Sequence, residues 1–224
     1  MRAKQLAFDF PAVKRRGGAR AGAGRKPLHA GRRHTPHRSR PLHRAAHPVH
    51  VTLRAQLRSL RSQFVVPTVL GALRASNRAD FRIVHHSVQS NHLHLIVEAA
   101  SAAALSAGMR GLAVRLARRV NRLLSRRGRF FADRWHGNEL TSPRQVRNAL
   151  VYVLQNHAKH ARSRHFAIDP LSSAPHFDGF ATPRASSPRA ARSRAGPLIV
   201  ASTWLLRVGW KRHGLIRQDE VPLP

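Results

Sequence analysis

Apolar residues alternate along the chain in some stretches and recur at helical spacing in others. In "HPVHVTLR" (47–54) Val49, Val51 and Leu53 alternate with polar neighbours, as in a half-buried strand. "DFRIVHHSVQ" (80–89) reads as a second strand, and "SNHLHLIVEA" (90–99) as a third after a tight turn at Ser90-Asn91. Between the first two, Leu60, Phe64, Val69, Leu70 and Leu73 predict a helical region from Leu57 to about Asn77, interrupted at Pro67. Leu105, Met109, Leu112, Leu116, Val120 and Leu123 recur every three or four residues, which predicts a helix from Ala102 to Leu124. Residues 128–140 fit a strand or an extended loop. "TSPRQVRNALVYVLQNHAKH" (141–160) opens with Ser142 as N-cap and Pro143 in the first turn, and Val146, Leu150 and Val153 form its buried stripe.

The order strand, helix, strand, strand, helix, strand, helix predicts an α+β fold. The expected form is a ferredoxin-like split βαβ sandwich, one antiparallel sheet with helices on its faces. The folded domain is expected over 47–165. Residues 1–46 are poor in large apolar groups and predict a mostly disordered basic arm. The Pro, Ser and Arg content of 166–200 predicts a linker, and 201–224 a helical tail in which "STWLLRVGWKRHGLI" docks back.

Charge adds a partner to this outline. The 224 residues carry 41 Lys+Arg against 9 Asp+Glu, a net charge of +32, and nearly all the cations are Arg. Nucleic acid is the polyanion best suited to neutralise such a chain, because guanidinium groups pair bidentately with phosphate. Arg15, Arg16, Arg20, Arg25 and Lys26 in "RRGGARAGAGRKP" form one candidate DNA contact. Arg115, Arg118, Arg119 and Arg122, together on one helix face, form another. An anionic membrane is the rival partner, but no apolar run approaches the roughly 18 residues of a spanning helix. The N-terminal stretch lacks the apolar core of a secretory signal, so a cytoplasmic, nucleoid-associated protein is expected. With zero Cys, disulfides, thiolate metal sites and Cys nucleophiles are excluded.

Candidate chemistry starts from His92 and His94. Residues i and i+2 of a strand share a face, close enough for two imidazoles to bind one divalent ion. Tyr152 is the only tyrosine of the chain. On a helical wheel with Val146 at zero, Tyr152 falls at about 240°, off the apolar stripe. Asn156, one turn on, and Lys159 share its face. A phenolate attacking phosphorus would give a covalent phosphotyrosine, while an ion on the histidines, with Asn156 as a further oxygen ligand, would polarise the phosphate.

These residues carry a resemblance. "NHLHLIVE" looks like the His-hydrophobe-His motif of the single-tyrosine HUH transposases, and "YVLQN" like their nucleophile helix. "GGARAGAGRKP", "PVHVTLR", "FRIVHHSVQSNHLHLIVEA", "GLAVRLARRVNRLL" and "VRNALVYVLQNHAKH" together resemble the REP-associated tyrosine transposase branch, over roughly residues 15–160 plus the "WLLRVGWKRHGLI" tail. The resemblance implies a Mg²⁺- or Mn²⁺-dependent endonuclease and strand transferase that cleaves and rejoins single-stranded DNA near hairpins. Tyr152 carries over as the nucleophile of a 5′-phosphotyrosine intermediate, and His92 and His94 as metal ligands. Asn156 stands where many relatives carry Gln. Insertion-sequence relatives often work as homodimers, whereas the REP-associated branch includes single-chain action, so both states stay open.

Other readings of the same residues also stay open. One is a domesticated DNA-binding protein that keeps the fold without turnover. An RNA-binding module would stack bases on strand aromatics, where this chain offers His92 and His94. A histidine-triad hydrolase would want a third His at position 96, which is Ile96.

Overall fold

The computed structural model describes residues 43–160, 168–181 and 199–220, the side chains of 158–160 excepted. Four strands form one sheet: β1 (Val49–Arg54), β2 (Phe81–Val88), β3 (His92–Ala99) and β4 (His136–Glu139). Their spatial order is β2-β3-β1-β4, and each neighbouring pair is antiparallel. With α1 (Val66–Arg74) between β1 and β2, and α2 (Ala102–Leu123) between β3 and β4, this is the expected split βαβ arrangement. A third helix, α3 (Pro143–His160), follows β4.

Strand alternation sorts the side chains into two cores. Val49, Val51 and Leu53 of β1 and Leu93, Leu95 and Val97 of β3 pack with α1 and α2 on one face. On the other face, Ile96 joins Val146, Leu150 and Val153 of α3. A register shift between Ile83 and His85 turns β2 locally, so that Val84 enters this second core and His85 meets Phe177 edge-on. Ser101 caps α2 by accepting from the amide of Ala104 at 3.1 Å. The helix buries Leu105, Met109, Leu112, Leu116 and Val120, whereas Leu123 is exposed and lines an open groove against α1. In α1, Pro67 lies in the first turn, where its missing N–H costs nothing, so it starts the helix instead of interrupting it. Phe64, expected inside, is 70% exposed in the turn before this helix.

Within the span read as a linker, residues 168–181 pack closely. Asp169 is buried and receives both terminal guanidinium nitrogens of Arg61 at 2.8 Å. Phe177 and Phe180 extend the second core. The tail does dock back: α4 (Trp204–Arg207) and a 3₁₀ turn at Gly209–His213 lie against α3, with Trp210 fully buried. The buried carboxylate of Glu98 on β3 holds its entrance, accepting from the amides of Ser202 and Thr203 and from the Ser202 hydroxyl at 2.7–3.0 Å. Gln155 of α3 donates to the Arg217 carbonyl at 2.6 Å, a second tie between helix and tail. Residues 1–42, which include Arg15, Arg16, Arg20, Arg25 and Lys26, lie outside the described set.

Candidate active site

The face of the sheet that carries α3 gathers the candidate residues. His92 and His94 project from β3 with ring centroids 4.6 Å apart. Tyr152, facing them from α3, places its ring 4.9 Å from that of His94 in an edge-to-face contact. The β1–β3 register sets Thr52 opposite His94 and His50 opposite Ile96, so both β1 side chains enter the same face. Their identities were not singled out from sequence, although "PVHVTLR" shows the same i, i+2 alternation as the histidine pair.

Hydrogen bonds orient the imidazoles. An amide oxygen only accepts, so the 2.8 Å contact between His92 Nδ1 and Asn91 Oδ1 puts the proton on Nδ1 and the lone pair on Nε2. His94 Nδ1 is engaged by the Thr52 hydroxyl at 3.2 Å and by His50 Nε2 at 3.3 Å, so Nε2 is the nitrogen that could ligate an ion. Burial pushes His50 down to about 4, because water no longer solvates the cation. It is therefore neutral at pH 7 and adds no positive charge beside its neighbours. The His50 ring also lies 5.5 Å from Tyr152.

Asn156 supplies the most telling detail. It lies one helical turn beyond Tyr152 and is completely buried, and neither atom of its amide has a hydrogen-bond partner among the described residues. A buried amide left unsatisfied costs about 1–3 kcal/mol per group, so such a group calls for a ligand. Among the described residues no three His, Cys, Asp or Glu converge as a metal cluster. The His92–His94 pair, completed by water and substrate, is a donor set that could hold a divalent ion, and Asn156, one helical turn beyond Tyr152, is a further candidate oxygen.

The arginines of α2 lie elsewhere. Because α1 and α2 cover the opposite face, the sheet separates them from Tyr152. Arg118, Arg119 and Arg122 line a groove of about 380 Å³ against Pro67, Thr68 and Gly71 of α1. Arg115 is turned inward and donates to the Ser76 hydroxyl at 2.7 Å. Lys159 belongs to α3, but its side chain is outside the described set.

No family model matches the chain, and no curated protein does. One solved structure, described as a REP-associated tyrosine transposase bound to a REP hairpin, is similar at 16% sequence identity with a TM-score of 0.49. The match covers 62% of this chain and 82% of that one.

Proposed function

We propose that the chain is a DNA strand transferase that cleaves and rejoins single-stranded DNA through Tyr152. The observation that carries this reading is the meeting of the chain's lone phenol with the His92–His94 pair, one turn from the unsatisfied amide of Asn156. His92, His94 and Asn156 would hold a divalent ion. When bound, the ion would offset charge on a non-bridging phosphate oxygen and orient the phosphodiester.

Chemistry at Tyr152 then follows from the phenol. Its oxygen attacks phosphorus, the bond from phosphorus to the 3′ oxygen breaks, and the Tyr152 proton leaves while the departing oxygen takes one up as a 3′-OH. The 5′-phosphotyrosine conserves the phosphodiester bond, so a second 3′-OH can reverse the exchange without an external energy source. Half-burial of Tyr152 between His50, His94 and α3 limits competing attack by water. The Arg118, Arg119 and Arg122 groove, together with the basic 1–46 segment, would hold flanking DNA on the charge it offers. No helix among the described residues is long and apolar enough to cross a membrane.

The test is incubation with labelled single-stranded hairpin DNA and Mg²⁺. A protein-linked 5′ product that EDTA prevents, and that Tyr152→Phe does not form, is expected. DNA binding with no covalent product under any divalent ion would leave a basic DNA-binding protein instead.

A further inference from the structure

Beside Tyr152 a cleft of about 420 Å³ opens between β4, β1 and the first turns of α3. Its size falls in the range of small-molecule sites, roughly 300–1,000 Å³, enough for one nucleoside. Its polar lining is unusual for a chain of net charge +32. Asn138, Gln145 and Asn148 contribute neutral amides, and Tyr152 and His50 contribute ring edges. The cation of the lining, Arg147, is already committed. Its guanidinium binds both carboxylate oxygens of Glu220 at 2.6 and 2.9 Å and the carbonyls of Gly214 and Leu215 at 3.0 and 3.1 Å. Neutralised in this way, it has little attraction left for phosphate.

A pocket of amides and ring edges without an available charge suits a flat, neutral group with donors and acceptors at its rim. Asn138 and Asn148 are exposed, and their amides make no hydrogen bond among the described residues, so both can read such a rim. Asn148 stands one turn before Tyr152 on the same helix, as Asn156 stands one turn after it. The cleft is therefore contiguous with the phenol, on the side away from the buried amide.

We infer that this cleft holds the nucleobase of the nucleotide adjacent to the phosphate that Tyr152 attacks, with Asn138 and Asn148 reading its edge. The inference rests on the strand-transfer reading for its choice of ligand. It assigns sequence discrimination at the cut to uncharged side chains and leaves phosphate binding to the arginines. It also makes Asn148 a specificity-determining residue.

The experiment measures equilibrium binding, not cleavage, so that it can fail independently of the covalent mechanism. Tyr152→Phe protein, which keeps the ring, is titrated with short single-stranded oligonucleotides in which one abasic site is walked along the sequence. One position is expected at which losing the base weakens binding roughly tenfold, the scale of a base whose edge is read by side-chain hydrogen bonds. Adding Asn138→Ala and Asn148→Ala should lower the affinity for intact DNA to that for the abasic strand, with no further loss on the abasic strand itself. Equal weakening on both strands, or no position sensitive to base removal, would overturn the inference. Base-dependent binding by a wild-type protein that never forms an adduct would instead leave the cleft intact and remove the enzyme.

Discussion

Glu98→Ala removes the acceptor on which the tail's docking turns. In the native chain this carboxylate is buried and takes the Ser202 amide, the Thr203 amide and the Ser202 hydroxyl, with Arg82 at 3.6 Å as its ion partner. Truncation leaves two backbone donors and a guanidinium facing a gap. Each unsatisfied donor costs about 1–3 kcal/mol, while Arg82, 30% exposed, stays solvated and adds little. Roughly 4 kcal/mol of local docking free energy should disappear, since some donors will find water. The rest of the molecule keeps its cores, so the effect should be local. Amide hydrogen exchange across 202–214 should accelerate by about a thousandfold, while Val51 and Leu95 in the central ladder keep wild-type protection. Glu98→Gln, which retains one acceptor oxygen, should fall between the two. If Glu98→Ala exchanged within about threefold of wild type over this segment, the tail would be held by Trp210 packing alone and the carboxylate argument would be wrong.

Other outcomes follow from the same contacts. Thr52→Val takes the hydroxyl from His94 Nδ1, and Mn²⁺ affinity measured by calorimetry should drop about tenfold; unchanged affinity would show that His94 is oriented without it. Burial pushes His85 down to about 4 and His86 to about 3, below the ordinary 6.5 that the unfolded chain retains. As pH falls the unfolded state takes up these protons first, so stability is full above about 6.5 and declines toward pH 4, by on the order of 3 kcal/mol for His85. A urea midpoint that stayed flat over that window would contradict it. Gly108→Ala should raise intrinsic helix propensity by about 1 kcal/mol, yet its Cβ would overlap the fully buried Phe81 ring. The clash, typically 1–3 kcal/mol, should win and lower the melting temperature; a stabilised variant would mean that the helix and sheet are less closely packed than described.

The pattern of apolar residues exposed most of the architecture because each element buries one face against a neighbour. Period-two alternation located β1, β2 and β3, and the i, i+2 rule placed His92 and His94 on one face, where they stand. The helical wheel likewise moved Tyr152 off the buried stripe, and the structure sets its ring beside His94. What sequence did not display was cross-strand register. Thr52 reaches His94 only because β1 and β3 pair at that offset, 42 residues apart in the chain. Glu98 and Ser202 are 104 residues apart and look like an ordinary strand acid and an ordinary loop serine until the tail folds over. Leu123 and Phe64 misled because an apolar residue can fall on the helical period and still stay exposed, Leu123 on an open groove and Phe64 in the turn before α1.

Peptide mapping by mass spectrometry, after reaction with a single-stranded hairpin substrate and Mg²⁺, would locate the covalent bond to DNA. Nucleotide mass is expected on the peptide containing Tyr152, on that side chain, and should be lost when His92 and His94 are both replaced by alanine. A nucleotide found on another residue, or an adduct that survives removal of both histidines, would contradict the proposed chemistry.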